Sequence, residues 1–183
     1  MPRRGVGGRS VSKVRGVRVP GTWFTHVDYD AVFNTLVQHA SSSYHAASLL
    51  IQLVNGARVS EAVEGFLKWC ETGESEVAVR VRKKRGEEHR LLIVPVRYLD
   101  RRVCRQLDTR DAAKLANRVK VWAKQVLGIN THSLRYLGIT RLYKAMGLGV
   151  FHITKHSSIR FVLHYLDRIE AEENFRKLLS HLV

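Results

Sequence analysis

Apolar residues recur every three or four positions in two successive stretches of the chain. These are "DYDAVFNTLVQHA", which begins at Asp28, and "SYHAASLLIQLVNG", which ends at Asn55 and Gly56. This spacing predicts two amphipathic helices. Ser60 then opens a third, shorter helix that runs toward Trp69.

The period changes after the third helix. The stretch "EVAVRVR" alternates strictly, a turn-like "KKRGEE" follows, and "HRLLIVP" is apolar again. This pattern predicts a β-hairpin with strands at about 76–82 and 89–94. After Pro95 the helical spacing returns and predicts four further helices, at 97–107, 111–127, 133–146 and from 157 to the end. The expected fold class is mixed α/β, mainly α-helical with a small antiparallel β-sheet.

Charge sets the first 22 residues apart from the rest. The chain has 183 residues, 45% of them apolar, which fits one folded domain, and its net charge of +15 favours a polyanionic partner such as nucleic acid. Residues 1–22 are glycine-rich and contain no acidic residue. We read 1–22 as a flexible basic arm, with an ordinary disordered tail as the alternative, and 23–183 as the folded domain. The positive residues of the arm are Arg3, Arg4, Arg9, Lys13, Arg15 and Arg18.

Neither a membrane segment nor a cysteine framework is predicted. The longest apolar run, "AASLLIQLV", is interrupted by Gln52, so we expect no membrane span and no signal peptide, and hence a cytoplasmic protein. Cys70 and Cys104 lie far apart and form no CxxC motif. They are therefore expected to be two buried thiols, with no disulfide and no metal site.

Chemically suggestive residues follow one another in a set order. Arg58 and Glu61 stand at a loop-to-helix junction, basic residues fill the hairpin turn, and His132 and Arg135 lie three apart on one helix face, at a start capped by Thr131. Each feature alone also fits an ordinary solvated surface. A fourth stretch, "KHSSIRFVLHY", closes the series with His156 and Tyr165.

Taken together, these motifs resemble the catalytic domain of the tyrosine recombinase (phage integrase) family. The chain has "NGARVSE", then "VRKKRGEEHRLLIVP", then "HSLRY", then "KHSSI" with a tyrosine nine residues after its histidine. The resemblance extends from about Leu49 to Asp167. It departs from the family pattern at Tyr136, where a second histidine is common, and at Lys155, where glycine is frequent. The hairpin turn is longer than usual, the segment between 147 and 156 is short, and the core-binding domain that normally comes first is absent.

The resemblance implies DNA cleavage by a tyrosine. Tyr165 would attack a phosphodiester and form a 3′-phosphotyrosine. The transition state gains charge on its non-bridging oxygens, and the planar guanidinium groups of Arg58 and Arg135 suit those oxygens. No metal and no cofactor is required.

The remaining site residues would move protons or orient their neighbours. The hairpin lysine donates a proton to the leaving 5′ oxygen; alignment favours Lys84, with Lys83 as the rival. His132 accepts the tyrosine proton, His156 donates a hydrogen bond to a phosphate oxygen, and Glu61 orients its neighbours. The residues expected to bind DNA are Arg82 and Arg85 in the hairpin and the six basic residues of the arm.

Local helix geometry leaves the delivery of Tyr165 open. If 157–169 is one helix, Tyr165 lies about 100° from the centre of its apolar stripe and shares a face with Ser158, Phe161 and Arg168. A core tyrosine at the edge of the stripe is the alternative. His156 and Tyr165 would also stand about 13 Å apart along a straight helix. Either His156 precedes the helix, or the helix breaks, or Tyr165 enters a neighbouring subunit's site.

The sequence therefore predicts a site-specific DNA recombinase or integrase. Double-stranded DNA is the expected partner, and a dimer or tetramer is expected to assemble on it. A nucleoid-associated protein of prokaryotic, viral or mobile-element origin fits these features. A type IB topoisomerase-like enzyme and a non-catalytic basic DNA-binding module are the alternatives.

Overall fold

The computed structural model describes residues 28–81 and 88–154. Within these ranges the chain is mainly helical with a two-stranded antiparallel sheet, as the sequence predicts. The helices and strands are α1 (Tyr29–Ala40), α2 (Tyr44–Asn55), α3 (Val59–Thr72), β1 (Glu76–Arg80), β2 (His89–Ile93), α4 (Ala112–Trp122), α5 (Thr131–Met146) and α6 (Val150–Thr154). The helix predicted from 157 onward, the arm 1–22 and the hairpin turn 82–87 lie outside the described residues.

Polar side chains fix where the helices begin. Asp28 caps α1, and Ser43 caps α2 by accepting a hydrogen bond from the Ala46 amide. Helix α5 begins at Thr131, two residues earlier than predicted, because the side chain of Asn130 accepts the Ser133 amide. The prediction that Thr131 caps this helix is therefore wrong, since Thr131 is already its first residue.

The stretch between the sheet and α4 differs from its prediction. In place of an α-helix over 97–107, the chain forms two 3₁₀ segments, Val96–Tyr98 and Arg101–Gln106. The Asp100 side chain accepts the Arg102 amide and starts a new turn there, so one continuous α-helix does not form. Farther along, α4 ends at Trp122 and continues as a π-helical turn, Ala123–Leu127, which completes the helical span predicted for 111–127.

Helix α2 is the centre of the domain. Ten of its twelve residues are buried, and it packs against α1, α3, α4, α5 and β2. A helix enclosed on most sides needs apolar residues around its whole circumference, as "AASLLIQLV" provides. The two polar residues at its C-terminal end, Gln52 and Asn55, are also buried and hydrogen-bonded.

The β-hairpin lies against α3, and helix side chains cap both of its edges. Strands β1 and β2 pair in register from Glu76 opposite Ile93 to Arg80 opposite His89. On the β1 edge, the Lys68 ammonium donates to the Ala78 carbonyl. On the β2 edge, the Asn55 amide both donates to the Ile93 carbonyl and accepts the Ile93 amide, at 2.7 and 2.8 Å. These contacts satisfy backbone groups that would otherwise template further strand pairing.

Two glycines let α5 cross the end of α2 at very short distance. A Cβ atom on Gly138 would lie 2.1 Å from the Leu53 carbonyl oxygen. Gly56 ends α2 in the left-handed conformation (φ 54°), and a Cβ there would lie 2.7 Å from Ile139 Cγ1. The approach brings the first half of α5 beside the loop between α2 and α3.

Cys70 and Cys104 form a disulfide, so the prediction of two separate thiols and no disulfide is wrong. Cys70 is near the C-terminal end of α3, and Cys104 lies in the second 3₁₀ segment, with 5.7 Å between their Cα atoms. The residues are 34 positions apart, and only the packing of that segment on α3 brings them together. Arg101 reinforces this packing by donating to the Cys70 carbonyl at 2.8 Å.

Across the described part of the chain, every helix is too short or too polar to cross a lipid bilayer.

We expect Gly138→Ala to destabilise the protein severely. The added methyl group would overlap a backbone oxygen that cannot move without displacing α2, and overpacking of this kind costs about 1–3 kcal/mol or more. Gly149→Ala is the matched control, because a Cβ there meets no atom within 4 Å. Urea denaturation gives the free energy of unfolding of both variants. Equal stabilities would show that α5 does not cross α2 this closely.

The disulfide should contribute substantially to stability. For a loop of 34 residues, the loss of chain entropy in the unfolded state corresponds to about 4 kcal/mol. We expect Cys104→Ser to lower the free energy of unfolding in urea by a few kcal/mol. Reductant should destabilise the parent chain but leave the stability of this variant unchanged. A parent chain with the same denaturation midpoint with and without reductant would contradict the bridge.

Candidate active site

The N-terminus of α3 joins Arg58 to a buried carboxylate. The Arg58 amide donates to Glu61 Oε2 at 3.0 Å, and its Nη1 contacts Glu61 Oε1 at 2.8 Å. This local pairing forms because residue 58 precedes the first turn, where free amides favour an acidic side chain three residues on. Glu61 is completely buried, whereas the Arg58 side chain is 22% exposed. The Arg58 side chain therefore pairs with a buried carboxylate and is also partly open to solvent.

A second arginine, Arg90 on β2, contacts the same carboxylate. It is 2% exposed, and its Nη1 lies 3.4 Å from Glu61 Oε2. This residue was not among the predicted site residues. A signal was available, because strands alternate between faces and Arg90 stands two positions before the inward-facing Leu92. That places a charged residue on the buried face, which requires a partner.

Helix α5 supplies the third arginine. Arg135 is 5% exposed, and it lies three residues before the glycine at which α5 crosses α2. Burial, together with the positive charge of Arg58, lowers the pKa of Arg135 to about 10, while Glu61 opposes that shift. Arg135 still carries its proton at neutral pH. Two of the predicted catalytic residues, Arg58 and Arg135, thus lie in one electrostatic cluster with Glu61 and Arg90.

His132 and Tyr136 extend the site along α5 toward solvent. His132 is exposed, one turn before the half-buried Tyr136, and their rings meet edge to face with centroids 4.6 Å apart. Burial raises the pKa of Tyr136, with the charge of Arg135 acting in the opposite direction. The Tyr136 hydroxyl therefore keeps its proton at neutral pH.

The Gln52 side chain connects the segment before Arg58 to the start of α5. It was not among the predicted site residues. Its side-chain Nε2 donates to the Ala57 carbonyl at 3.2 Å and to the Thr131 carbonyl at 2.7 Å. These two residues immediately precede Arg58 and His132. The sequence shows Gln52 only as an interruption of an apolar run. That interruption was the available signal, because a polar residue in a fully buried helix needs partners.

Several predicted site residues lie outside the described residues. The structure describes the chain on both sides of the hairpin turn, where the Val81 amide donates to the Glu88 carbonyl at 2.8 Å. It also describes the chain up to Thr154, whose carbonyl is 3.5 Å from Arg90 Nη1. The predicted residues beyond these points are Arg82, Lys83, Lys84 and Arg85 in the turn, His156 and Tyr165 after α6, and Arg3, Arg4, Arg9, Lys13, Arg15 and Arg18 in the arm.

Within 28–81 and 88–154, no three histidine, cysteine or acidic side chains converge as a metal site would require. In this part of the molecule Arg58 and Arg90 contact the carboxylate of Glu61, and Arg135 lies close enough for its charge to interact with theirs. Three guanidinium groups and one carboxylate leave a formal excess of positive charge. Such an excess can attract and polarise a phosphodiester at the partly exposed Arg58.

Two known proteins are similar to the chain over most of its length. It is 33% identical over 173 residues to a protein of Acidianus two-tailed virus named "Putative integrase ORF241". The aligned region covers 88% of this chain and 70% of the viral protein. It is 25% identical over 201 residues to "Uncharacterized protein MJ0770" of Methanocaldococcus jannaschii, covering 86% of this chain and 89% of the archaeal protein. No family model matches the chain, and no solved structure matches it.

We expect Arg135→Met to stabilise the fold. Three guanidinium groups share one carboxylate, so removing Arg135 still leaves Glu61 paired with two arginines and ends the burial of a repelled charge. The lowered pKa of Arg135 means that its charge is less favourable in the folded chain than in water, so removing that charge should raise the free energy of unfolding. Arg135 is protonated in both the folded and unfolded states below about pH 10, so the gain should be complete at neutral pH.

Urea denaturation at pH 7 measures this gain. The matched control is Arg141→Met, an exposed arginine on the same helix, for which we expect a change within about 0.5 kcal/mol. A loss of stability in Arg135→Met that exceeds the change in the control would contradict the expectation.

Proposed function

We propose that this chain, which belongs to the same protein family as the Acidianus two-tailed virus protein, cleaves and rejoins DNA as the catalytic domain of a tyrosine recombinase. The observation that carries the proposal is the convergence of Arg58 and Arg135 around the buried carboxylate of Glu61. They come from helices far apart in the sequence and are the two arginines that the motif resemblance assigns to phosphate binding. The name of the viral relative, which describes an integrase, supports the same reading.

The arginine pair suits a phosphoryl-transfer transition state. Arg58 uses Nη1 for Glu61 and keeps part of its side chain open to solvent, where a phosphate can meet its remaining N–H groups. Arg135 adds a second positive charge close by. Because negative charge increases on the non-bridging oxygens as the nucleophile attacks, this field stabilises the transition state more than the bound substrate.

Tyr165 is the proposed nucleophile. Its oxygen attacks the scissile phosphorus, the bond to the 5′ oxygen breaks, and a 3′-phosphotyrosine and a free 5′ hydroxyl result. Tyr136 is the rival within the described residues. Burial raises the pKa of Tyr136, and the motif resemblance assigns the attack to Tyr165.

Proton transfer completes the proposed reaction. His132, exposed at the start of α5, accepts the proton of the attacking tyrosine. Lys84 donates a proton to the leaving 5′ oxygen, with Lys83 as its rival in the same turn, and His156 donates a hydrogen bond to a phosphate oxygen. Rejoining runs the same steps in reverse, so no proton is gained or lost over the cycle.

The charge of the chain supports a DNA substrate. A net charge of +15 provides many potential phosphate contacts, including those of the arm 1–22 and of Arg82 and Arg85 in the hairpin turn. Recombination exchanges strands between two duplexes. We therefore also propose that the chain acts as a dimer or tetramer on double-stranded DNA.

Two other functions would use the same arginine cluster. A type IB topoisomerase-like enzyme would form the same tyrosine adduct but would relax one duplex without exchanging strands. A non-catalytic module would bind DNA without forming the adduct. The experiment below separates all three.

The test is covalent trapping on a pool of nicked duplexes of random sequence, because the target site is undefined. We expect a denaturant-resistant protein–DNA adduct with the parent chain, none with Tyr165→Phe, and an undiminished adduct with Tyr136→Phe, because phenylalanine keeps the ring that contacts His132. Joined four-way junctions would identify a recombinase, and relaxation alone a topoisomerase. DNA binding without an adduct would refute catalysis, and an adduct lost only in Tyr136→Phe would refute the assignment of Tyr165.

A further inference from the structure

We propose that Arg90 is a positioning residue of this site, an inference that rests on the proposed function. Its guanidinium group contacts three separate segments of the chain. Nη2 donates to the carbonyl of Asn55 at the end of α2, at 2.7 Å, and Nη1 lies near Glu61 Oε2 and the Thr154 carbonyl. At 2% exposure, Arg90 cannot itself reach a DNA phosphate. Any effect it has on the reaction must pass through its neighbours.

The first of these neighbours is Glu61, and through it Arg58. The Glu61 carboxylate is divided: Oε1 accepts from Arg58 Nη1, and Oε2 accepts from the Arg58 amide and from Arg90. Arg90 thereby occupies one of the two acceptor positions of Oε2. Without Arg90, that position would be open to a second N–H group of the Arg58 guanidinium, as in the bidentate pair that arginine and carboxylate favour. Arg58 would then turn its donors toward Glu61 and away from the substrate phosphate.

The second neighbour is the end of α6. Arg90 Nη1 is 3.5 Å from the Thr154 carbonyl, and Thr154 is completely buried. His156 follows only two positions later in the sequence. Arg90 thus connects the two arginine motifs to the end of α6.

Lysine cannot perform this task equally well. Arginine presents its donors in a rigid planar fork, whereas a lysine ammonium is a single point of charge on a flexible stem. An ammonium group at position 90 could neutralise Glu61. It could not hold the Asn55 and Thr154 carbonyls at fixed positions together with the carboxylate.

The test compares Arg90→Met and Arg90→Lys with the parent chain on the nicked duplex pool. Single-turnover rates of adduct formation and dissociation constants are measured where circular dichroism shows each variant to be folded. We expect Arg90→Met to bind DNA within about threefold of the parent but to form the adduct about a hundredfold more slowly, the effect expected of a catalytic group misplaced by about 1 Å. Arg90→Lys should fall between the two. Arg102→Met, which removes an exposed arginine paired with Asp100, is the charge-matched control and should keep the parent rate.

A second-site variant distinguishes positioning from simple structural support. If Glu61 captures Arg58 once Arg90 is gone, then Glu61→Gln should release it, and Arg90→Met/Glu61→Gln should form the adduct about tenfold faster than Arg90→Met alone. Loss of packing alone predicts no such rescue. A double variant no faster than Arg90→Met, or an Arg90→Met rate equal to the parent rate, would overturn the proposal. If Arg90→Met does not fold, a parent-like rate in Arg90→Lys would overturn it. An adduct absent from the parent chain itself would instead refute the proposed function.

Discussion

The burial of the Glu61 carboxylate is the constraint on which the rest of the site depends. A lone carboxylate in a protein interior is strongly unfavourable, and so is a lone guanidinium. Here the carboxylate is completely buried and meets Arg58 at 2.8 Å and Arg90 at 3.4 Å, with Arg135 close enough for the charges to interact. Glu61 makes the burial of the arginines more tolerable and they make the burial of its carboxylate tolerable, although the arginines repel one another. The attraction to Glu61 holds the start of α3 and strand β2 together, and the first half of α5 lies beside them.

Helix α2 provides the frame against which those charges are placed. Its apolar residues form the core, while its last turn carries the polar side chains that hydrogen-bond to backbone groups of the site. Gln52 holds the carbonyls that precede Arg58 and His132, and Asn55 pairs with β2 through its side chain and with Arg90 through its carbonyl. Gly56 then allows α5 to approach. One buried helix thus sets the relative positions of the start of α3, strand β2 and α5.

The site contains a surplus of buried positive charge, which the rest of the domain must support. Desolvation lowers the pKa of both Arg90 and Arg135, so each is held in its charged form at a cost. Active sites commonly combine such a cost with a pre-set electrostatic field. Stabilising features lie elsewhere, in the close-packed core around α2 and in the Cys70–Cys104 bridge at the far end of α3. The charge cluster and the bridge are at opposite ends of the same helix.

Sequence periodicity by itself determined helices α1 to α5, the hairpin and its alternation of buried and exposed positions, because these depend on neighbours within a few residues. It wrongly predicted one α-helix over 97–107, where the Asp100 side chain starts a new turn. The motif order also selected Arg58, His132 and Arg135 as candidates, and the first and last of these lie in one cluster. Lys84, His156 and Tyr165 lie outside the described residues and stay predictions. Only the tertiary structure decided that Arg90 joins the cluster, that Gln52 links two distant loops, and that Cys70 meets Cys104. Each of these contacts joins residues more than 25 positions apart. Their formation depends on how whole elements pack, through crossings such as that of Gly138 on α2, and local patterns carry no information about such distances.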